Sequence, residues 1–98
     1  MQVAQTILEQ LGGNKFRAMT GAKGFVGSDD ALSFSLPNRF AKDGINKVRI
    51  QLTPADLYRV EYFKIRGTSV VPVHVTNSVY ADQLQAEFKA VTGLDTHL

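Results

Sequence analysis

Val3, Ile7, Leu8 and Leu11 recur at i, i+4, i+5 and i+8. That spacing places them on one stripe of a helix about nine residues long. Gly12-Gly13-Asn14 predicts its end, because glycine enters the left-handed cap at little steric cost. Lys15 to Met19 alternates polar and apolar residues and predicts a short strand. Thr20 to Asp30 carries three glycines and the adjacent acids Asp29 and Asp30. It reads as a loop, with a brief extended piece at Phe25-Val26.

From Ala31 the pattern is of period two. Leu32, Phe34 and Leu36 fall on one side and Ala31, Ser33 and Ser35 on the other, as in a strand with one buried face. Pro37-Asn38 stops it. Arg39 to Asn46 is a polar connection with a turn signal at Asp43-Gly44. In Lys47 to Leu52, Val48, Ile50 and Leu52 alternate with Lys47, Arg49 and Gln51 to give the clearest strand of the chain. Thr53-Pro54-Ala55-Asp56 could open a helix or make a turn. The aromatic and β-branched run after it, Leu57 to Arg66, keeps no helical period and favours a strand. Its adjacent large residues Tyr62 and Phe63 predict a bulge.

Gly67-Thr68 reads as a turn. Ser69 to Thr76 is a valine-rich strand, and Pro72 makes it an edge strand or a bulged one, since proline cannot donate to a ladder. Asn77-Ser78 reads as the cap of a last helix, with Tyr80, Leu84, Phe88 and Val91 on one face. Gly93 ends that helix and Leu94 folds back to the core.

The predicted fold is α+β: a mostly antiparallel sheet of four or five strands, with an N-terminal and a C-terminal helix packed on one face. No linker, low-complexity segment or internal repeat is evident, so residues 1–98 read as a single domain.

Composition narrows the chemistry. The 98 residues are 44% hydrophobic and 20% charged, ordinary for a globular domain. There is no cysteine, which excludes disulfides, thiolate zinc sites and cysteine nucleophiles. No apolar run approaches the ~20 residues that span a bilayer, and the N-terminus has no signal-peptide pattern, so the expectation is a cytoplasmic protein without membrane attachment. Net charge is only +2, but residues 15–66 hold ten basic and five acidic side chains, leaving acidic flanks.

No catalytic constellation is assembled, and the reading is of a binder rather than an enzyme. His74 and His97 are the only histidines and lie far apart, a poor metal set. His74 reads as a surface residue facing out if Val71, Val73 and Val75 face in. Asp29-Asp30 lacks the regular ligand spacing of a calcium loop and reads as a turn. Gly21-Ala22-Lys23-Gly24 matches the GXXG loop that clamps a nucleic-acid backbone, but that loop joins two helices and strands are expected here. No cofactor motif is present.

The exposed sheet face is the best candidate surface. Lys15, Arg17, Lys47 and Arg49 are expected to project from it beside Ser33, Ser35 and Gln51. Lys23 of the glycine loop and Arg59 of the following strand complete the candidate set. Such a face suits an acidic protein surface or a nucleic-acid strand, although it lacks repeated aromatic stacking platforms. The edge at Val70 to Val75 could also pair with a second copy into a homodimer.

Several segments carry a resemblance. They are Thr6-Ile7-Leu8-Glu9-Gln10-Leu11-Gly12-Gly13-Asn14-Lys15-Phe16, Met19-Thr20-Gly21-Ala22-Lys23, Leu32-Ser33-Phe34, Asp56-Leu57-Tyr58-Arg59-Val60-Glu61, Val79-Tyr80-Ala81-Asp82-Gln83-Leu84 and Thr92-Gly93-Leu94. Nearly the whole chain resembles small uncharacterised proteins encoded by bacteriophages, prophages and other mobile elements. The resemblance carries over no site residues. It implies a bacterial host cytoplasm and an accessory protein that binds a host or phage macromolecule, foremost a protein, with host defence among the targets.

Overall fold

A computed structural model describes residues 2–37 and 41–94. Asn38, Arg39 and His97 lie outside the described residues, as does the Asp95 to Leu98 tail. The chain opens with two helices, α1 (Gln2–Leu11) and α2 (Gly13–Thr20). Five strands follow: β1 (Lys23–Gly27), β2 (Ala31–Ser35), β3 (Lys47–Leu52), β4 (Tyr58–Arg66) and β5 (Ser69–Val79). A 3-10 turn at Lys42–Gly44 joins β2 to β3, and a second at Ala81–Gln83 leads into α3 (Leu84–Thr92). The strands lie in sequence order in one sheet, every neighbouring pair antiparallel. Such a meander needs only short connections.

The helices share one face of the sheet. Ile7 and Leu11 of α1, Phe16 of α2 and Leu84 and Phe88 of α3 are fully buried against Phe34, Val48, Ile50, Val60 and Tyr62. Phe16 sits at the centre, edge-on to Phe34 at 5.3 Å and to Phe88 at 5.1 Å between ring centroids. Each aromatic contact of this kind adds about 0.5–1.5 kcal/mol beyond its burial.

The α+β class and antiparallel sheet are as the patterning predicts. The β4–β5 register shifts at Tyr62/Phe63, but the extra residue is Val73 of β5, beside Pro72, and β4 itself runs unbroken against β3 instead of bulging at the aromatic doublet. Three segments differ. Lys15 to Met19 is helical, not extended: Phe16 and Thr20, at i and i+4, are buried while Lys15, Arg17 and Ala18 are exposed. Five residues satisfy either period, and the i+4 partner lies just beyond that window. The Thr20–Asp30 segment contributes a full strand, β1. Asn77-Ser78 does not cap α3; it ends β5, where Val79 still pairs with Tyr58 and Ser78 takes a positive φ of 59° at an irregular register. Tyr80 consequently precedes the helix and is 57% exposed rather than core-facing.

The two helix C-termini share a motif that the reading for repeats does not detect. Phe16-Arg17-Ala18-Met19-Thr20-Gly21-Ala22 and Phe88-Lys89-Ala90-Val91-Thr92-Gly93-Leu94 match in residue type and in burial. In each, the buried threonine hydroxyl donates to the phenylalanine carbonyl at 2.7 Å. The same oxygen accepts the N–H of Ala22 or Leu94 at 3.2 Å. Gly21 and Gly93 are left-handed caps, with φ 71° and 77°. The paired motifs meet at the Phe16–Phe88 contact.

Candidate functional site

With all three helices on one side, no second layer covers the opposite sheet face among the described residues. Strand alternation fixes its residues and antiparallel pairing arranges them in rows. One row runs Val26, Ser33, Arg49, Glu61, Val75 across all five strands. The next runs Lys23, Ser35, Lys47, Phe63, Pro72. Ala31, Gln51 and Arg59 flank them on one side, and Ile65 with Val70 on the other.

The structure divides the six candidate residues. Lys23, Lys47, Arg49 and Arg59 stand on this open face. Lys15 and Arg17 do not: both ride on α2, on the helical side, because that segment is a helix. The Arg17 guanidinium instead lies over the Phe25 ring, 5.1 Å from its centroid, a cation–π contact with the helical side of β1.

Two of the four are engaged within the face. Arg49 Nη1 is 3.1 Å from Glu61 Oε1, directly across the β3–β4 pair, and Arg59 Nη2 is 3.8 Å from Glu61 Oε2. Arg49 also donates to Gln51 Oε1 at 3.2 Å, and Gln51 donates to Asp30 Oδ2 at 2.9 Å. Asp30, Gln51, Arg49, Glu61 and Arg59 thus form one continuous network of balanced charge. Sequence reasoning misses the role of Glu61. Its parity with Arg59 is legible, but its position opposite Arg49 follows only from register.

Lys23 and Lys47 have no acidic partner among the described residues. They flank Ser35 in one row, two strands apart, which corresponds to about 10 Å between backbones. Beside them, where β2 and β3 end, a shallow depression of about 300 Å³ is lined by Lys23, Ser35, Leu36, Pro37, Asn46 and Ile65. Asn46 holds the end of the sheet there. Its Nδ2 donates to the Ile65 carbonyl at 3.0 Å and its Oδ1 accepts the Ile65 N–H at 2.8 Å.

Apart from Arg59 and Glu61, the β4–β5 half of the face is apolar. Val70 is 58% and Val75 39% exposed, with half-buried Phe63 and Ile65 beside them. At the opposite margin Val26 is 61% exposed. Contiguous exposed apolar surface of this kind is characteristic of contact sites.

The remaining candidates resolve differently. Gly21-Ala22-Lys23-Gly24 joins a helix to a strand, not two helices. Asp29-Asp30 lies in the β1–β2 turn, where Asp30 accepts bonds from Gln51 and from the Leu52 amide. No three metal-ligating side chains converge among the described residues. His74 is an exposed strand residue, as expected, although Val71 and Val75 are exposed as well: Val73 is the extra residue of the bulge, and His74 pairs with Tyr62 on the helix-bearing side, its ring 6.1 Å from the tyrosine ring. Tyr62 itself is fully buried and donates to Glu87 Oε2 at 2.9 Å. Burial first, then the Glu87 charge and this bond, push its phenol far above the ordinary range.

No helix among the described residues is long and apolar enough to cross a membrane. Comparison with known proteins finds no matching family model, no matching curated protein and no matching solved structure.

Proposed function

We propose that this chain is a non-enzymatic binding module whose uncovered sheet face contacts another protein. The uncovered face carries the reading: among the described residues nothing covers this side of the five-stranded sheet, which exposes apolar residues toward β5 and carries two lysines without an acidic partner toward β1. Protein contact surfaces combine an apolar centre with a polar rim. A nucleic-acid strand fits this face less well. Two of its four basic candidates are balanced by Glu61 and Asp30, and Tyr58 and Tyr62 are buried on the helical side instead of offering stacking platforms.

The resemblance to phage and mobile-element proteins supplies the setting: the cytoplasm of a bacterial host, and an accessory role in which the chain engages a host or phage protein. Blocking a host defence factor is one such role.

The test is affinity capture of the tagged protein from bacterial lysate, after nuclease treatment, with mass-spectrometric readout. Lys47→Glu combined with Val70→Glu alters the open face; Lys15→Glu alters the helical side. Arg49→Glu is avoided because it would set two carboxylates directly opposite each other. Retention of one stoichiometric protein by the wild type and Lys15→Glu, and its loss from the folded open-face variant, is the expected result. Equal retention by all three sinks the reading. Recovery of nucleic acid, with affinity falling steeply in salt, would transfer the face to nucleic-acid binding.

A further inference from the structure

The uncovered face is not uniformly basic. Its arginines and acids cancel within the network from Asp30 to Arg59, and among the described residues its uncompensated charge is confined to one row. In that row Lys23 and Lys47 bracket Ser35, whose hydroxyl makes no hydrogen bond among the described residues. All three groups can donate to an oxyanion, and no acidic side chain within the described fold competes for them. The depression beside them offers apolar walls in Leu36, Pro37 and Ile65. Phe63, next to Lys47 in the same row, and Val70, next to Ile65, continue the apolar surface toward β5.

From this juxtaposition we infer that the Lys23–Ser35–Lys47 row is a carboxylate-docking subsite, and that the partner is an acidic polypeptide segment in which Asp or Glu neighbours an apolar side chain. The carboxylate lies over the lysine row, and its apolar neighbour lies in the depression or on Phe63 and Val70. Charge complementarity selects this occupant. The Asp30–Arg59 network presents no net charge, so a carboxylate gains most at the row whose lysines are unpaired. Arg49 and Arg59, already bonded to Glu61, would have to break those contacts to serve a partner. The inference rests on the open face being the contact surface, and goes further in fixing which half takes the charge.

Random twelve-residue peptides displayed on phage supply the probe, selected on the immobilised full-length protein. The expected result is enrichment of peptides carrying Asp or Glu beside an aliphatic or aromatic residue. Synthetic versions should bind Lys23→Glu/Lys47→Glu about ten-fold or more weakly, and Arg59→Gln within about two-fold of wild type. Circular dichroism melts confirm that both variants fold, and amide chemical shifts locate the bound peptide. Peptides that map to the open face but lack acidic residues, or that ignore the lysine substitutions, overturn the subsite while leaving the open-face reading intact. Peptides that map to the helical side, or no enrichment at all, overturn both.

Discussion

Replacing Thr20 or Thr92 by valine removes one hydroxyl and keeps the side-chain shape. Both residues are essentially fully buried, at 0% and 1% exposure. Each hydroxyl bridges a helix carbonyl to the N–H two residues on, across the glycine cap. The Phe16 and Phe88 carbonyls keep the α-helical bond of their own turn. The loss therefore falls on the amides of Ala22 and Leu94, which sit in the core with no other acceptor among the described residues. An orphaned buried donor costs about 1–3 kcal/mol. A domain of this size shifts by about 4–8 °C per kcal/mol, so each valine variant should melt roughly 5–20 °C below wild type. Serine keeps the hydroxyl and loses one methyl, a cost of about 1 kcal/mol. Thermal denaturation by circular dichroism, with amide exchange at Ala22 and Leu94, reads both effects. Because the two sites share bonds and burial, their valine variants should lose similar amounts. Serine variants less stable than the valine ones would refute the reasoning, since methyl packing would then be what the site uses.

Two further predictions concern the β4–β5 margin. The Tyr62 phenol is raised above its ordinary value of 10.0, so the unfolded chain ionises first. The stability Tyr62 confers is fully present below about pH 10 and is lost as pH rises further. Tyr62→Phe should flatten the alkaline arm of a stability–pH profile, and an unchanged arm would remove Tyr62 as its cause. Pro72 bears on self-association. The Phe63 carbonyl accepts the Asn46 amide at 3.0 Å, so Phe63 turns its polar groups toward β3 and the nitrogen of Pro72 faces the free edge. Pro72→Thr restores a donor there and should lower the concentration at which the protein self-associates, measured by analytical ultracentrifugation. Identical sedimentation of variant and wild type would mean that Pro72 does not guard the edge.

The parts of the fold legible from sequence are those with one dominant signal. Val48, Ile50 and Leu52 alternate without interruption, and β3 has the bounds they give. Pro72 marks its strand as an edge or a bulged one, and β5 is both: it ends the sheet, and its Val73 is the extra residue against Tyr62 and Phe63. Gly93 followed by Leu94 marks both the end of α3 and the chain's return to the core. Helix α2 was hidden because Lys15 to Met19 is shorter than two helical turns, so a strand and a helix fit it equally. The discriminating signal was its likeness to Phe88–Leu94, a segment read as helical on other grounds. Asn77 and Ser78 misled for a chemical reason. Polar residues favoured at helix starts also suit an irregular strand end, and Ser78 occupies one at positive φ.

The candidate site was legible in membership and illegible in charge. Alternation alone puts Lys47, Arg49 and Arg59 on one face, but it puts Glu61 there too, and only the pairing of Arg49 with Glu61 shows which arginine is answered. A shift of one residue between β3 and β4 would carry the apolar residues of one strand to the open face and break the Arg49–Glu61 contact at the same time. The network from Asp30 to Arg59 therefore marks the native register of β2, β3 and β4, and its charges belong to the fold. Lys23 and Lys47 take no part in it. They hold nothing together among the described residues, and theirs is the charge of this face that the proposed partner would answer.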